Sequence, residues 1–202
     1  MIERLAQVAG RPVSRETFER LNNYVALLQE ESERQNLVSA SSLADIWDRH
    51  ILDSAQLVRF EPQPGSYWVD IGSGAGLPGI VIACLVEGPV TLVEPRRLRA
   101  DFLHRACESL GLNAVARCER VERTTGKFDV LTARAVTELS ALIEISQHLS
   151  TRKTTWVLPK GRNAVAELSR AQQTWQGAFH VEQSATDADS RIIVGTDVRK
   201  RP

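Results

Sequence analysis

The side chains best placed to do chemistry in this 202-residue chain are acids at the ends of apolar runs, and the glycines that follow one of them. Tyr67-Trp68-Val69 leads into Asp70, and Gly72, Gly74, Gly76 and Gly79 crowd the stretch before a second apolar run, Ile80 to Leu85. Glycine is needed where the backbone takes positive φ or lets a ligand approach its amides. A strand feeding such a turn and then a helix makes a ligand cradle at the carboxyl end of a parallel sheet. A plain strand-to-helix turn has no need of four glycines.

The ligand is the deciding question. Gly74, Gly76 and Gly79 match the dinucleotide pattern G-x-G-x-x-G, which taken alone is weak. Asp70 argues against a dinucleotide, because a carboxylate beside a pyrophosphate repels it where little water screens the charge. The same carboxylate suits a ligand carrying an ammonium and a sulfonium, as S-adenosyl-L-methionine does. A P-loop is excluded, since no Lys-Ser or Lys-Thr follows the glycines. The next strand-like run, Val90 to Glu94, ends in an acid 24 residues after Asp70. That is close to the spacing of roughly 20 at which an acid reaches a ribose hydroxyl in a βαβ unit. Glu94 can equally be an acid stabilised by the start of the following helix, and both roles can hold together.

Five blocks in one order resemble a known family. Asp70-Ile71-Gly72-Ser73-Gly74-Ala75-Gly76-Leu77-Pro78-Gly79 is similar to the signature of the 16S ribosomal RNA methyltransferase G family, also called GidB. Asn36-Leu37, Arg49-His50-Ile51-Leu52-Asp53-Ser54, Thr132-Ala133-Arg134-Ala135 and Lys160-Gly161 resemble its other blocks. The resemblance implies transfer of a methyl group from S-adenosyl-L-methionine to N7 of a guanine, guanine 527, in the 530 loop of 16S rRNA. It also implies a sheet that closes in an antiparallel hairpin. Carried over position by position, it places cofactor contacts on Gly72, Leu77, Val121, Glu122 and Arg134, beside Asp70, Gly74, Gly76 and Glu94 from the turn itself. Pro159 stands where the family has an aliphatic residue or alanine, and Leu98 replaces one member of a basic pair whose other member, Arg99, is kept.

Arg134 closes an apolar run, where a guanidinium is expensive unless paired; its candidate partners are a cofactor carboxylate, Asp53 or RNA phosphate. His50 and Asp53 stand three residues apart, on one helix face, and are expected to tie the N-terminal helices to the sheet edge. No general base is expected, because guanine N7 carries a lone pair and no proton. With 25 basic and 25 acidic residues the chain has no net charge, so an RNA footprint must be local. Arg96, Arg97, Arg99 and Lys160 fall on the expected rim, and Arg199-Lys200-Arg201 form a basic tail of ambiguous role.

These groups need a scaffold. Leu21, Val25 and Leu28 predict a helix over 18–30, and Ser42 with Asp45 reads as the cap of another. Strand-like runs follow at 67–71, 90–94, 114–120, 128–132, 154–158, 179–183 and 191–198. Helical segments at 78–86, 96–110, 138–149 and 162–175 separate all but the last two, which predict a hairpin. The expectation is an α/β fold: a doubly wound seven-stranded sheet of the Rossmann-like methyltransferase type over 65–202, with a helical extension over 1–64. Cys84, Cys107 and Cys118 form no C-x-x-C pair, which points to a reducing compartment and no structural metal. No 18-residue apolar run and no signal-peptide core are present, so a cytoplasmic protein is expected, with its partner 16S rRNA in the small subunit or an assembly intermediate. The residues leave open a methyltransferase for another acceptor, an NAD-binding oxidoreductase, or an assembly factor that keeps the turn without turnover.

Overall fold

The apolar runs become two cores, one on each face of a seven-stranded sheet. A computed structural model describes residues 1–39 and 43–202. Strands β1 (Trp68–Ile71), β2 (Val90–Val93), β3 (Ala114–Arg117), β4 (Val130–Ala133), β5 (Thr155–Lys160), β6 (Trp175–Gln183) and β7 (Arg191–Lys200) pair in the order β3-β2-β1-β4-β5-β7-β6. The first five are parallel; β7 runs antiparallel between β5 and β6. Every residue of β1, β2 and β4 is buried, which is why these strands read as unbroken apolar runs rather than alternating ones. The chain reverses its order between β1 and β4, the switch point where such sheets bind ligands.

Helix α1 (Ile2–Ala9) ends at Gly10, whose φ of 65° is left-handed. The Ser14 hydroxyl accepts the Thr17 N–H at 3.0 Å and so starts α2 (Arg15–Gln35), a helix longer than its apolar spacing alone predicts. A mixed helix follows: a π turn over Trp47–Leu52, a short α stretch over Asp53–Ala55 and a 3-10 stretch over Gln56–Phe60. The expected Ser42 cap lies outside the described residues. These segments, with α3 (Gly79–Leu85) and α4 (Arg97–Ser109), share one core with Trp68, Leu92 and Val130 of the sheet. On the other face α5 (Leu139–Ser146) and α6 (Ala164–Ala171) cover Val69, Leu131 and Trp156.

Two expected boundaries move. The helix expected over 162–175 stops at Ala171, and Trp175 instead opens β6. Its indole is fully buried and donates to Ser140 Oγ at 3.1 Å, so tertiary packing decides a position that local periodicity assigned to a helix. The third strand ends at Arg117 rather than Arg120, where Glu119 N–H turns back to donate to the Arg117 carbonyl. Among the described residues, no helix is long and apolar enough to cross a membrane.

One contact joins the N-terminal helices to the glycine turn. Tyr24 of α2 is fully buried, and its hydroxyl donates to the Ala75 carbonyl at 2.9 Å. Burial holds that phenol well above its usual titration range, so it is a donor at any physiological pH. Tyr24→Phe removes the donor and keeps the ring. It should lower stability in urea unfolding by about 0.5–1.5 kcal/mol, the net worth of one such bond.

Candidate functional site

The glycine turn is held from below by two carboxylates. Asp70, at the end of β1, is 1% exposed, and its Oδ2 accepts the Gly79 N–H at 3.1 Å where α3 begins. Glu94, just past β2, accepts Gly74 N–H on Oε2 at 2.9 Å and Arg96 N–H on Oε1 at 2.8 Å. Four further amides are also committed inside the protein. Gly72 and Ser73 both donate to the Val93 carbonyl, Gly76 donates to Ser73, and Ile80 donates to Gly76. A pyrophosphate-binding turn must leave such donors pointing at its ligand. Here the protein's own acids and carbonyls accept from six of them.

This arrangement corrects the expected role of Asp70. Its carboxylate does not line the ligand cavity; it sits beneath the turn and splints the turn to α3, with Oδ1 buried and unpartnered. Burial raises its pKa to about 7, against the opposing pull of the Ser73 and Gly79 hydrogen bonds. Leu77 likewise packs in the first core rather than against the cavity. The glycines divide by cause. Gly72 has φ 68°, and a Cβ there would meet Val136 at 2.6 Å. A Cβ on Gly76, at φ 93°, would meet Ile80 at 2.5 Å and Tyr24 at 3.1 Å.

Above the turn lies a cavity of about 610 Å³. Gly72, Glu94, Val121 and Glu122 line it together with Arg96, Arg99 and Arg120. Four residues expected at the cofactor therefore do meet, as do two of those expected at RNA. Arg96 and Arg99 border the same cavity instead of pointing past it. Arg97 points to solvent with Asp101 at 3.7 Å. Arg120 was missed by sequence reasoning; it immediately precedes Val121, the only signal available for it. Among the described residues, no carboxylate lies within ion-pair distance of Arg96, Arg99 or Arg120.

Lys160 is not an open cation. Its Nζ donates to Glu167 Oε1 at 2.7 Å and to the Thr137 carbonyl at 3.1 Å, so it fastens the loop after β4. The basic tail is committed too: Arg199 pairs with Asp197 at 2.8 Å, and Lys200 stands 3.6 Å from Glu144.

Arg134 gathers the remaining pair. Its guanidinium stands 3.6 Å from Asp53 Oδ2 and 3.3 Å from His50 Nδ1. A guanidinium only donates, so Nδ1 accepts and the imidazole proton sits on Nε2, which is buried without a partner. Desolvation and the nearby Arg134 and Arg49 charges lower the His50 pKa to about 4, so the ring is neutral. Asp53 Oδ1 accepts from Gln56 at 2.9 Å and Thr186 at 3.1 Å, and desolvation raises its pKa. These bonds link the mixed helix to β4 and to the loop between β6 and β7. They line a second, smaller cavity of about 260 Å³.

A family model described as rRNA small subunit methyltransferase G matches residues 17–193. A protein named ribosomal RNA small subunit methyltransferase G from Sphingopyxis alaskensis is 47% identical over 186 residues, covering 91% of this chain and 80% of its own. One of the same name from Zymomonas mobilis is 42% identical over 198 residues, covering 94% and 90%. Among solved structures, a SAM dependent methyltransferase from Aquifex aeolicus superposes with a TM-score of 0.62 at 12% identity, over 82% of this chain and 97% of its own. Magnesium protoporphyrin IX methyltransferase from Synechocystis, solved with bound SAH, gives 0.54 at 19% identity, over 71% and 78%. Likeness at such low identity speaks for the fold alone, the Rossmann-like sheet of S-adenosylmethionine-dependent methyltransferases.

The buried acid gives a pH test. Asp70 has a folded pKa of about 7 against the ordinary carboxyl value of 3.8, so ionising it in the folded state is costly. That cost is absent below the unfolded pKa, grows as pH rises between the two values, and is complete above about 7. Asp70→Asn keeps an acceptor for Gly79 and carries no charge. Its stability relative to wild type should therefore improve from pH 5 to pH 8 in urea unfolding, and the gap should be smallest at the acid end.

Proposed function

This chain belongs to the rRNA small subunit methyltransferase G family, and we propose that it transfers the methyl group of S-adenosyl-L-methionine to N7 of guanine 527 in the 530 loop of 16S rRNA. The observation that carries the cofactor is the engagement of the turn amides by the protein itself. Gly72, Ser73, Gly74, Gly76 and Gly79 all donate to internal acceptors, and the Glu94 carboxylate in the cavity presents a negative charge to a cationic ligand. A nicotinamide dinucleotide is disfavoured on the same ground.

The residues fit the cofactor. A cavity of about 610 Å³ is within the usual range for a ligand of this size. Each Glu94 oxygen accepts one amide and keeps a lone pair for a ribose hydroxyl. Val121 and Glu122 stand where an adenine would lie, and Gly72 lets the ligand approach the backbone. When bound, S-adenosyl-L-methionine supplies an electrophilic methyl group on a sulfonium.

The chain's own part is orientation. Guanine N7 needs no deprotonation, so a base has no task. The imidazole nearest the site is consistent with that, its lone pair engaged by Arg134. What remains is to hold the base in line, about 3–3.5 Å from the methyl carbon, and to keep water out. An unstacked or flipped loop base would meet the need for access. Arg96, Arg99 and Arg120, with no acidic partner among the described residues, supply phosphate contacts on a chain without net charge. The small subunit or an assembly intermediate, in the cytoplasm, is the partner that follows.

Tritiated S-adenosyl-L-methionine offered with small subunits, free rRNA and total protein tests the acceptor. Label should enter 16S rRNA and be lost when guanine 527 is replaced; label in protein would overturn the reading. Glu94→Ala should weaken cofactor binding by about 1–3 kcal/mol in calorimetric titration, since it loses hydrogen bonds both to the ribose and to the turn. The double variant Arg96→Ala, Arg99→Ala should flatten the salt dependence of rRNA binding by about one unit of slope per lost contact. Cofactor affinity should fall with it, because both residues border the cavity.

A further inference from the structure

We propose that the second cavity is the acceptor-base site, and that Asp53 and Arg134 read the N1–H and O6 groups of guanine there. This inference rests on the methyltransferase reading and adds how the base is chosen. The cavity is about 260 Å³ and has walls of different character. Pro159 and Ile192, paired across β5 and β7, give an apolar face on which a ring can lie. Asp53 and Arg134 give a polar edge.

Ala135 lines both cavities. Ala135 takes a left-handed φ of 55°, unusual for a residue with a Cβ. With that turn, its predecessor Arg134 borders the smaller cavity and its successor Val136 the larger. A base in the one and a methyl donor in the other thus border the same residue, Ala135. Lys160 holds the loop in place through Thr137 and Glu167, which makes it a positioning residue.

Hydrogen-bond capacity selects the base. Asp53 Oδ1 already accepts two bonds, from Gln56 and Thr186. Oδ2 stands 3.6 Å from Arg134, beyond a hydrogen bond, and keeps its acceptor capacity. Arg134 uses only its Nη1 toward His50 and Asp53, which leaves donors on Nε and Nη2. An acceptor beside a donor complements guanine, whose N1–H adjoins O6. Adenine presents the opposite order, a lone pair at N1 and a donor at N6. Contacts along this edge leave the N7 lone pair unblocked.

The test uses wild-type protein with rRNA carrying a single replaced base, in whichever acceptor form (subunit or free rRNA) it labels. Inosine keeps N1–H and O6 and should be methylated within about tenfold of guanosine. 2-Aminopurine lacks both groups and should fall by about 100-fold or more, because the polar groups of the site are then left unpaired. Equal transfer to 2-aminopurine would overturn the proposal. Asp53→Asn should lower kcat/KM by about 100-fold and leave cofactor affinity unchanged in calorimetric titration, which also reports that the variant is folded. Unimpaired transfer by a folded Asp53→Asn would overturn it as well. If wild type labels no rRNA at all, the methyltransferase reading itself fails, and this inference with it.

Discussion

The pairing of two buried carboxylates with the amides of one glycine turn is the constraint on which the rest of the structure depends. Asp70 splints the turn to α3, and Glu94 splints it to the end of β2 and to Arg96. A charge placed in an apolar interior is costly unless hydrogen-bonded, and here the backbone supplies the bonds. The arrangement thus fixes the turn before any ligand arrives, and Glu94 gives the cavity above it a negative charge. It also explains the glycines, since Gly72 and Gly76 have no room for a side chain against Val136, Ile80 and Tyr24.

The N-terminal helices are part of this device. Tyr24 reaches over the turn to Ala75, while His50 and Asp53 reach the end of β4 through Arg134. All three lie on segments that share one core with the sheet face beneath the turn. A movement of the mixed helix would therefore be felt at Arg134 and at its neighbour Ala135, which lines both cavities.

Much of this was legible in the sequence. The continuous apolar runs before Asp70 and Glu94 marked buried parallel strands, because strands covered on both faces have no polar alternation. The closing hairpin was legible from the short gap before Arg191. What periodicity could not supply was tertiary: Trp175 belongs to a strand because its indole fits beside Ser140. Side-chain direction was equally hidden. Asp70 was legible as an acid at the turn but not as a splint below it, and Lys160 not as half of a nearly buried ion pair with Glu167. Arg120 carried no signal of its own, since an arginine before a loop is usually a solvated one.

The central claim is that the Glu94 carboxylate, on a turn whose amides Asp70 and Glu94 hold, makes a seat for a cation and disfavours a pyrophosphate. Calorimetric titration of the wild-type protein with S-adenosyl-L-methionine and with NADH, side by side at low salt, tests it most directly. The account predicts saturable one-to-one binding of the sulfonium and no heat from the dinucleotide. Saturable binding of NADH, with none of S-adenosyl-L-methionine, would contradict it.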